Sequence, residues 1–417
     1  MNMRKFRNLV AIVLFFGGLV FSTHADFSSI YIWGDSLSTT TSNSPSPQYY
    51  GLRESNGRTW VEVLAQRQGL GANSINNTNW SFSSNNLSYY GHYSSSLVTD
   101  IKNFKAPTNA TSCLFVIWLD NADFVGDMTD IHVGDPANAP NNGTNLANWV
   151  SAINQHLTNH FNFITNLYAK GCRTLVAPNA ADVTTIPEFN GSGAAYRAFV
   201  RQQIISFNTS YAAMLNQLQA SPSFPGLKIY VPDIFTLLNN ALTNASAYGL
   251  TNALNYYGQS TDAIDALNPK VLNGPGTNYI FWDYLGSPTA QMGEVIADVA
   301  QQTLSPVQIS GLAQINGSNQ LNVVNVPVGL NGFLDNSTNL AQTSWTTVTN
   351  FNSLTTTQSL FVITPPLPAN FGAGGSGGSG GGSIDPSNPG TNTVAGPPLG
   401  SAAQFYRLRF PYAWNWP

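Results

Sequence analysis

The chain has 417 residues, more than one hydrophobic core usually organises, so two domains are the first expectation. Only 9% of residues are charged while 42% are hydrophobic, and the net charge is −4, so the surface is carried by uncharged polar side chains. No cluster of Lys and Arg is present to displace phosphate counterions, which excludes a nucleic-acid partner.

The N-terminus reads as a secretory signal peptide over residues 1–25. Arg4, Lys5 and Arg7 form a positive start, an apolar stretch runs from Leu9 to Phe21, and Thr23 and Ala25 are the small residues of a cleavage site before Asp26. The apolar stretch is shorter than the ~20 residues a bilayer span needs, and no later stretch is a better candidate. The expectation is an exported protein (periplasm, cell surface or extracellular) with no membrane span once the signal is removed.

From Asp26 to about Leu304, short apolar runs alternate with helical periodicity. Ile30 to Trp33 predicts a first strand ending at Gly34. Trp60 to Gln68 predicts a helix, with Trp60, Val61, Val63 and Leu64 on one face. Asn79 to Phe82 predicts a second strand, and Leu114 to Leu119 a central strand covered on both faces. Leu146 to Lys170 carries eight apolar residues at helical spacing and is stopped by Gly171. Thr174 to Ala177, Ala195 to Leu218, Lys228 to Val231 and Thr289 to Leu304 continue as strand, helix, strand, helix. This alternation predicts an α/β domain over 26–305, a parallel sheet with helices on both sides, whose ligands bind beyond the C-terminal strand ends.

After Pro306 helical periodicity vanishes. Gln320 to Val328, Ser344 to Thr349, Leu360 to Thr364 and Gln404 to Phe410 predict strands, and Asn316-Gly317 and Asn331-Gly332 offer hairpin turn chemistry. Residues 306–417 are expected to form a small antiparallel β-sandwich, closed by the last run. The Gly/Ser/Pro-rich insert 372–400 cannot bury a core and is expected to be disordered.

Export permits disulfides, and Cys113 and Cys172 each precede a predicted strand. If those strands are neighbours in register, the thiols lie side by side and a bridge is possible; two buried free thiols are the alternative.

The chemistry concentrates at Trp33-Gly34-Asp35-Ser36-Leu37, where a serine in a turn after the first strand exposes its hydroxyl at the ligand edge. Tyr49-Tyr50-Gly51, Ser55 to Glu62, Leu167 to Asn179 with Pro187, Phe207-Asn208, Tyr248 to Asn252, and Phe281-Trp282-Asp283 leading into Ser287-Pro288-Thr289-Ala290 follow in order. Together they resemble the blocks of the SGNH/GDSL esterase/lipase family, over roughly residues 28 to 305. The resemblance implies a flavodoxin-like three-layer hydrolase domain and serine-dependent hydrolysis of a small ester, lipid or acetylated glycan, with no metal or organic cofactor.

Carried over residue by residue, the resemblance implies Ser36 as nucleophile, with its own amide and Ser83, standing at the family's glycine, as oxyanion donors. Asn121 supplies the amide only if its loop shifts by one residue, since alignment on Asp123-Phe124 puts Ala122 at the asparagine position and Asp120 at the glycine position. Asp283 is the orienting acid. The histidine is missing: counting forward from Asp283 lands on Gly286, and counting back from Pro288-Thr289 lands on Ser287. His92 and His132 are surrogate-base candidates, each alternatively an exposed loop residue. His156 and His160, four apart on the long helix, have no carboxylate in a zinc-motif pattern and read as ordinary helix positions. Three functions stay open: an impaired ester hydrolase, a non-catalytic ligand- or glycan-binding pseudo-hydrolase, and a surface component acting through the β-domain.

Overall fold

The computed structural model describes residues 27–41, 43, 46–70, 85–129, 145–315, 318–337, 345–363, 393–395 and 405–411. The expected signal peptide, the Asn79 to Phe82 strand, Ser83 and His132 lie outside them, as does the Gly/Ser run from 372 to 383.

Four parallel strands form the first sheet in the order β1 (Ile30–Gly34), β2 (Leu114–Trp118), β3 (Thr174–Val176), β4 (Lys228–Tyr230). On the free edge of β1, Ile32 N–H donates to the Asn85 carbonyl (2.9 Å) and Leu87 N–H to the Ile32 carbonyl (2.8 Å), in a parallel bridge. The chain therefore steps from β1 to one side, through 85–87, and then back across to β2. That reversal opens a crevice at the carboxyl ends of β1 and β2, where open α/β sheets bind ligands.

β2 is buried throughout because both of its faces are covered. Phe115 and Trp33 of β1 meet Phe104, and Trp33 also meets Phe163 of helix α4 (Leu146–Ala169). Trp118, of opposite parity to Phe115, packs edge-on against Trp60 of α1 (Trp60–Arg67) at 5.3 Å between centroids. The alternation of strand side chains thus feeds two helix layers. α4 packs on α2 (Leu97–Asn103) and α5 (Ala194–Ala220), and α1 packs on α8 (Ala290–Leu304). The result is a three-layer α/β fold. Thr59 and Glu62 form a capping box at the start of α1, and the Thr289 hydroxyl caps α8 by accepting from Met292 N–H at 3.2 Å.

Three helices depart from the sequence expectation. α2, α3 (Asp120–Thr129) and α6 (Ile234–Thr243) form where no helix was predicted. α7 (Ala263–Leu267) is a single short turn before the last helix. α3 matters most, because it starts at the segment read as a loop and makes Asp120, Asn121 and Asp123 its first turn.

The C-terminal part holds two antiparallel-based sheets. One runs β10 (Thr393–Ala395), β9 (Thr357–Ile363), β6 (Ser318–Val324), β5 (Gln308–Ile315); the other runs β11 (Phe405–Arg409), β7 (Asn331–Ser337), β8 (Thr346–Asn352). β5 and β6 pair through Ile315 and Ser318, on either side of Asn316-Gly317, a dipeptide outside the described residues. Asn331-Gly332 is not a turn. It opens β7, where Gly332 sits opposite Phe351 and the aromatic ring occupies the space a Cβ would need. β11 does not close its sheet but forms an edge, and β10 adds a short parallel strand inside the insert expected to be disordered. Arg67 joins the two parts: its guanidinium pairs with Asp298 of α8 at 2.8 Å and donates to the Val328 carbonyl at 3.2 Å.

Cys113 and Cys172 are buried free thiols. The register pairs Leu114 with Thr174, which sets Cys113 opposite Arg173 and leaves the cysteines one residue out of step. Burial pushes the Cys172 thiol up to about 12.

Candidate active-site cleft

The crevice at the switch point is a cleft of about 880 Å³, its open mouth included. Ser36 lies on it, half-buried, in the turn that follows β1, with Ser38 N–H donating to the Asp35 carbonyl at 3.1 Å. The turn folds back so tightly that a Cβ on Gly34 would stand 2.6 Å from the Ser38 side chain, which is why glycine ends the strand. Asp35 staples the turn to α3, one carboxylate oxygen accepting from Leu37 N–H (2.9 Å) and the other from Ala122 N–H (3.2 Å). Burial raises the Asp35 carboxyl to about 7, against the pull of those two amides, and Asp120 and Asp123 push it the same way.

Asn121 faces the same cleft from α3. Its side-chain oxygen accepts from Ala181 N–H at 3.0 Å, which fixes the amide's orientation and leaves the Nδ2 group buried with no partner. Ser36 and this buried N–H pair line the same cleft. Helix geometry puts Asn121 on the cleft and turns Asp123 away to accept from Ser94 N–H at 2.9 Å.

The far wall is built differently. Asp283 is buried, and its oxygens accept from Tyr49 Oη (3.2 Å) and Ser287 N–H (3.2 Å), so the groups that would orient an imidazole are already engaged. Burial raises its carboxyl to about 6. Of the two positions where a histidine was sought, Ser287 is buried off the cleft; Gly286 lines it at φ +83°, where an added Cβ would lie 2.7 Å from the Ile186 side chain. Ile186, Leu285 and Pro288 make this wall apolar.

No described histidine faces Ser36. His92 is fully buried rather than exposed: Nδ1 meets the Gly34 carbonyl at 3.0 Å, Nε2 meets Asp100 at 2.7 Å, and Tyr89 stacks on the ring at 4.0 Å. Both nitrogens are committed to oxygen acceptors, so the ring braces the end of β1 from behind. His156 and His160 do have carboxylate partners, which come from α3 and not from their own helix. His156 pairs with Asp127 (2.9 Å) and Asp123 (3.4 Å), and His160 with Asp120 (3.1 Å); these acids raise both imidazoles against the opposing effect of burial. The pairs draw Asp120 away from the cleft surface. Among the described residues no group of three His, Cys, Asp or Glu could hold a metal ion, and no helix is long and apolar enough to cross a membrane.

The fold and site define an α/β protein with a serine at the switch-point cleft of a parallel sheet. No family model and no curated protein matches the chain. Among solved structures it is similar to phospholipase A1 from Streptomyces albidoflavus NA297, at 14% identity over 66% of this chain and 99% of that one, with a TM-score of 0.34. It is likewise similar to an extracellular lipase from Streptomyces rimosus, at 15% identity over the same shares and with a TM-score of 0.34.

Proposed function

We propose that this protein is an exported SGNH-type hydrolase-fold protein that takes a carboxylic ester with an apolar acyl group, Ser36 being its nucleophile and hydrolysis being impaired. One observation carries the reading: the Ser36 hydroxyl and the unpartnered Asn121 amide share a largely apolar cleft. In this scheme Ser36 Oγ attacks the ester carbonyl, Asn121 Nδ2 donates to the oxygen that gains charge, and the apolar walls hold the acyl group. The proton leaving Ser36 has no imidazole to receive it among the described residues, so it passes to solvent. The tetrahedral adduct collapses with cleavage of the ester C–O bond, and the alcohol leaves with a proton from solvent. Water then hydrolyses the acyl-serine, releasing the carboxylic acid and restoring the Ser36 hydroxyl. A site that keeps its oxyanion donors and loses a triad member retains a residual rate, ~10³–10⁴-fold above water.

A binding protein with no turnover is the second reading, and the Gly286–Ile186 contact that fills the place of a base supports it. Turnover of p-nitrophenyl butyrate by the wild type and by Ser36→Ala separates the two. We expect a slow rate that Ser36→Ala removes. No Ser36-dependent rate, with a fluorescent acyl ligand still bound, leaves the binding reading; no binding either defeats both. We further propose two domains, with the C-terminal sheets packed as a sandwich, since Leu321, Val323, Leu334, Phe351, Leu360 and Leu408 belong to one buried cluster separate from the first core.

A further inference from the structure

Helix α3 presents two faces of different chemistry. Asn121, Ala122 and Val125 line the cleft. Asp120, Asp123 and Asp127, spaced by three and four residues, fall on another side of the helix and meet α4. The rotation of α3 about its own axis therefore sets how the Asn121 amide projects into the cleft. Two amides report that placement: Ala122 N–H donates to Asp35, and Ala181 N–H donates to Asn121 Oδ1.

His160 is the central member of the charged face. It is fully buried, with Nδ1–H donating to the His156 carbonyl at 2.9 Å and Nε2 standing 3.1 Å from Asp120. A carbonyl and a carboxylate are both acceptors, so the ring meets its two neighbours with a proton on each nitrogen. Tyr211 and Phe207 of α5 pack edge-on against it, at 5.1 and 6.4 Å between centroids. Asp120 is buried as well. This is its one ion pair among the described residues, and no hydrogen bond among them reaches its carboxyl. Separating the two would strand a buried carboxylate, which holds the first turn of α3 against α4. His156 repeats the contact further along the helix, at 2.9 Å from Asp127 and 3.4 Å from Asp123.

We propose that His160 is a positioning residue for the Asn121 amide: its ion pair with Asp120 sets the rotation of α3, and with it the direction in which Nδ2 points. The assignment rests on the reading of Asn121 as oxyanion donor, and extends it to a histidine on a helix that does not line the cleft. A donor stabilises developing charge to the extent that it is fixed before the reaction begins. Small displacements matter, since a misplacement of about 1 Å can cost ~10²-fold in rate. The His160–Asp120 pair supplies that fixation from the side of α3 that the ligand never touches.

Removing both partners together, as Asp120→Ala/His160→Leu in the full chain, tests this without stranding a charge. Site-resolved amide exchange at Ala122 and Ala181 should quicken by about tenfold or more, while Val116 of β2 keeps its protection. Ser36-dependent kcat on p-nitrophenyl butyrate should fall by ~10–100-fold, with KM within about twofold. In an Asn121→Ala background the same two substitutions should change kcat by less than about twofold, because the group they position is already gone. Unchanged protection at both amides, an unchanged kcat, or an equal fall in kcat with and without Asn121 overturns the proposal. So does a general loosening in which Val116 quickens with the other two. Should the double variant not fold, Asp120→Ala alone, after which the imidazole releases its proton, is read in the same way. A wild type with no Ser36-dependent turnover defeats the hydrolase reading instead, and the exchange pattern then decides the positioning role by itself.

Discussion

The two walls of the cleft are held in different ways. The β1–β2 wall carries a turn clamped by Asp35, the half-buried Ser36, and the Asn121 side-chain amide whose Nδ2 has no partner. The 283–288 wall has Asp283 accepting from Tyr49 and Ser287, and a left-handed glycine, Gly286, packed against Ile186. The contrast teaches that the position of Ser36 is secured by the sheet, through backbone bonds and core packing, while the 283–288 loop sets its wall by local contacts that the core does not feel.

The contrast can be broken on the retained side first. Asn121→Ala removes the free donor and should lower any Ser36-dependent turnover by ~10²–10³-fold, read in kcat; an unchanged rate would show that the oxyanion is held elsewhere. On the other wall, Gly286→Ala adds a Cβ at φ +83° into the Ile186 side chain. It should cost about 2–4 kcal/mol in urea unfolding, and a neutral result would mean that the wall is loose enough to readmit a histidine.

His92→Gln sharpens the comparison by separating support from chemistry. It should cost about 1–3 kcal/mol by disturbing the contacts to Gly34 and Asp100, and leave the nucleophile's pH profile in place. Loss of a titrating base from that profile would return His92 to the site.

A further effect concerns pH. Asp35 (about 7), Asp283 (about 6) and Glu54 (about 7) all hold protons more tightly folded than unfolded. The native state therefore binds more protons than the unfolded chain between the ordinary carboxylate range and pH 7, and stability falls as pH rises through that window. The raised imidazoles of His156 and His160 act in the same direction, because their contribution is lost as pH passes their folded values. Asp233 and Asp335 are lowered and oppose this only below the ordinary carboxylate range. The unfolding free energy from urea titration should be larger at pH 5.5 than at pH 8 by on the order of 4–5 kcal/mol, and a free energy that climbs with pH would contradict the burial of these acids.

Most of the framework was legible because its signals are local. β1, β2, α4 and α8 lie within a residue or so of the runs that predict them, since apolar periodicity and the Thr289 cap are written in the segment itself. α3 was not legible. DNADFVGDMT has little apolar periodicity, and its acids are paired with His156 and His160, about thirty to forty residues downstream, and with Ser94. The same gap hid the way Asn121 reaches the cleft. Gly332 misled for a related reason, since the ring that covers it belongs to another strand. Asp35 stood in the quoted motif without a role, because its partner amide at Ala122 is supplied by the fold.

The account's central claim is that Ser36 and Asn121 are competent and that no imidazole among the described residues accepts the serine proton. Exogenous imidazole tests it most directly, with p-nitrophenyl butyrate turnover by Ser36→Ala subtracted as background. The account predicts a Ser36-dependent rate that is low in plain buffer and rises with imidazole towards saturation. A fast Ser36-dependent rate that imidazole leaves unchanged, or no such rate at any imidazole concentration, would contradict it.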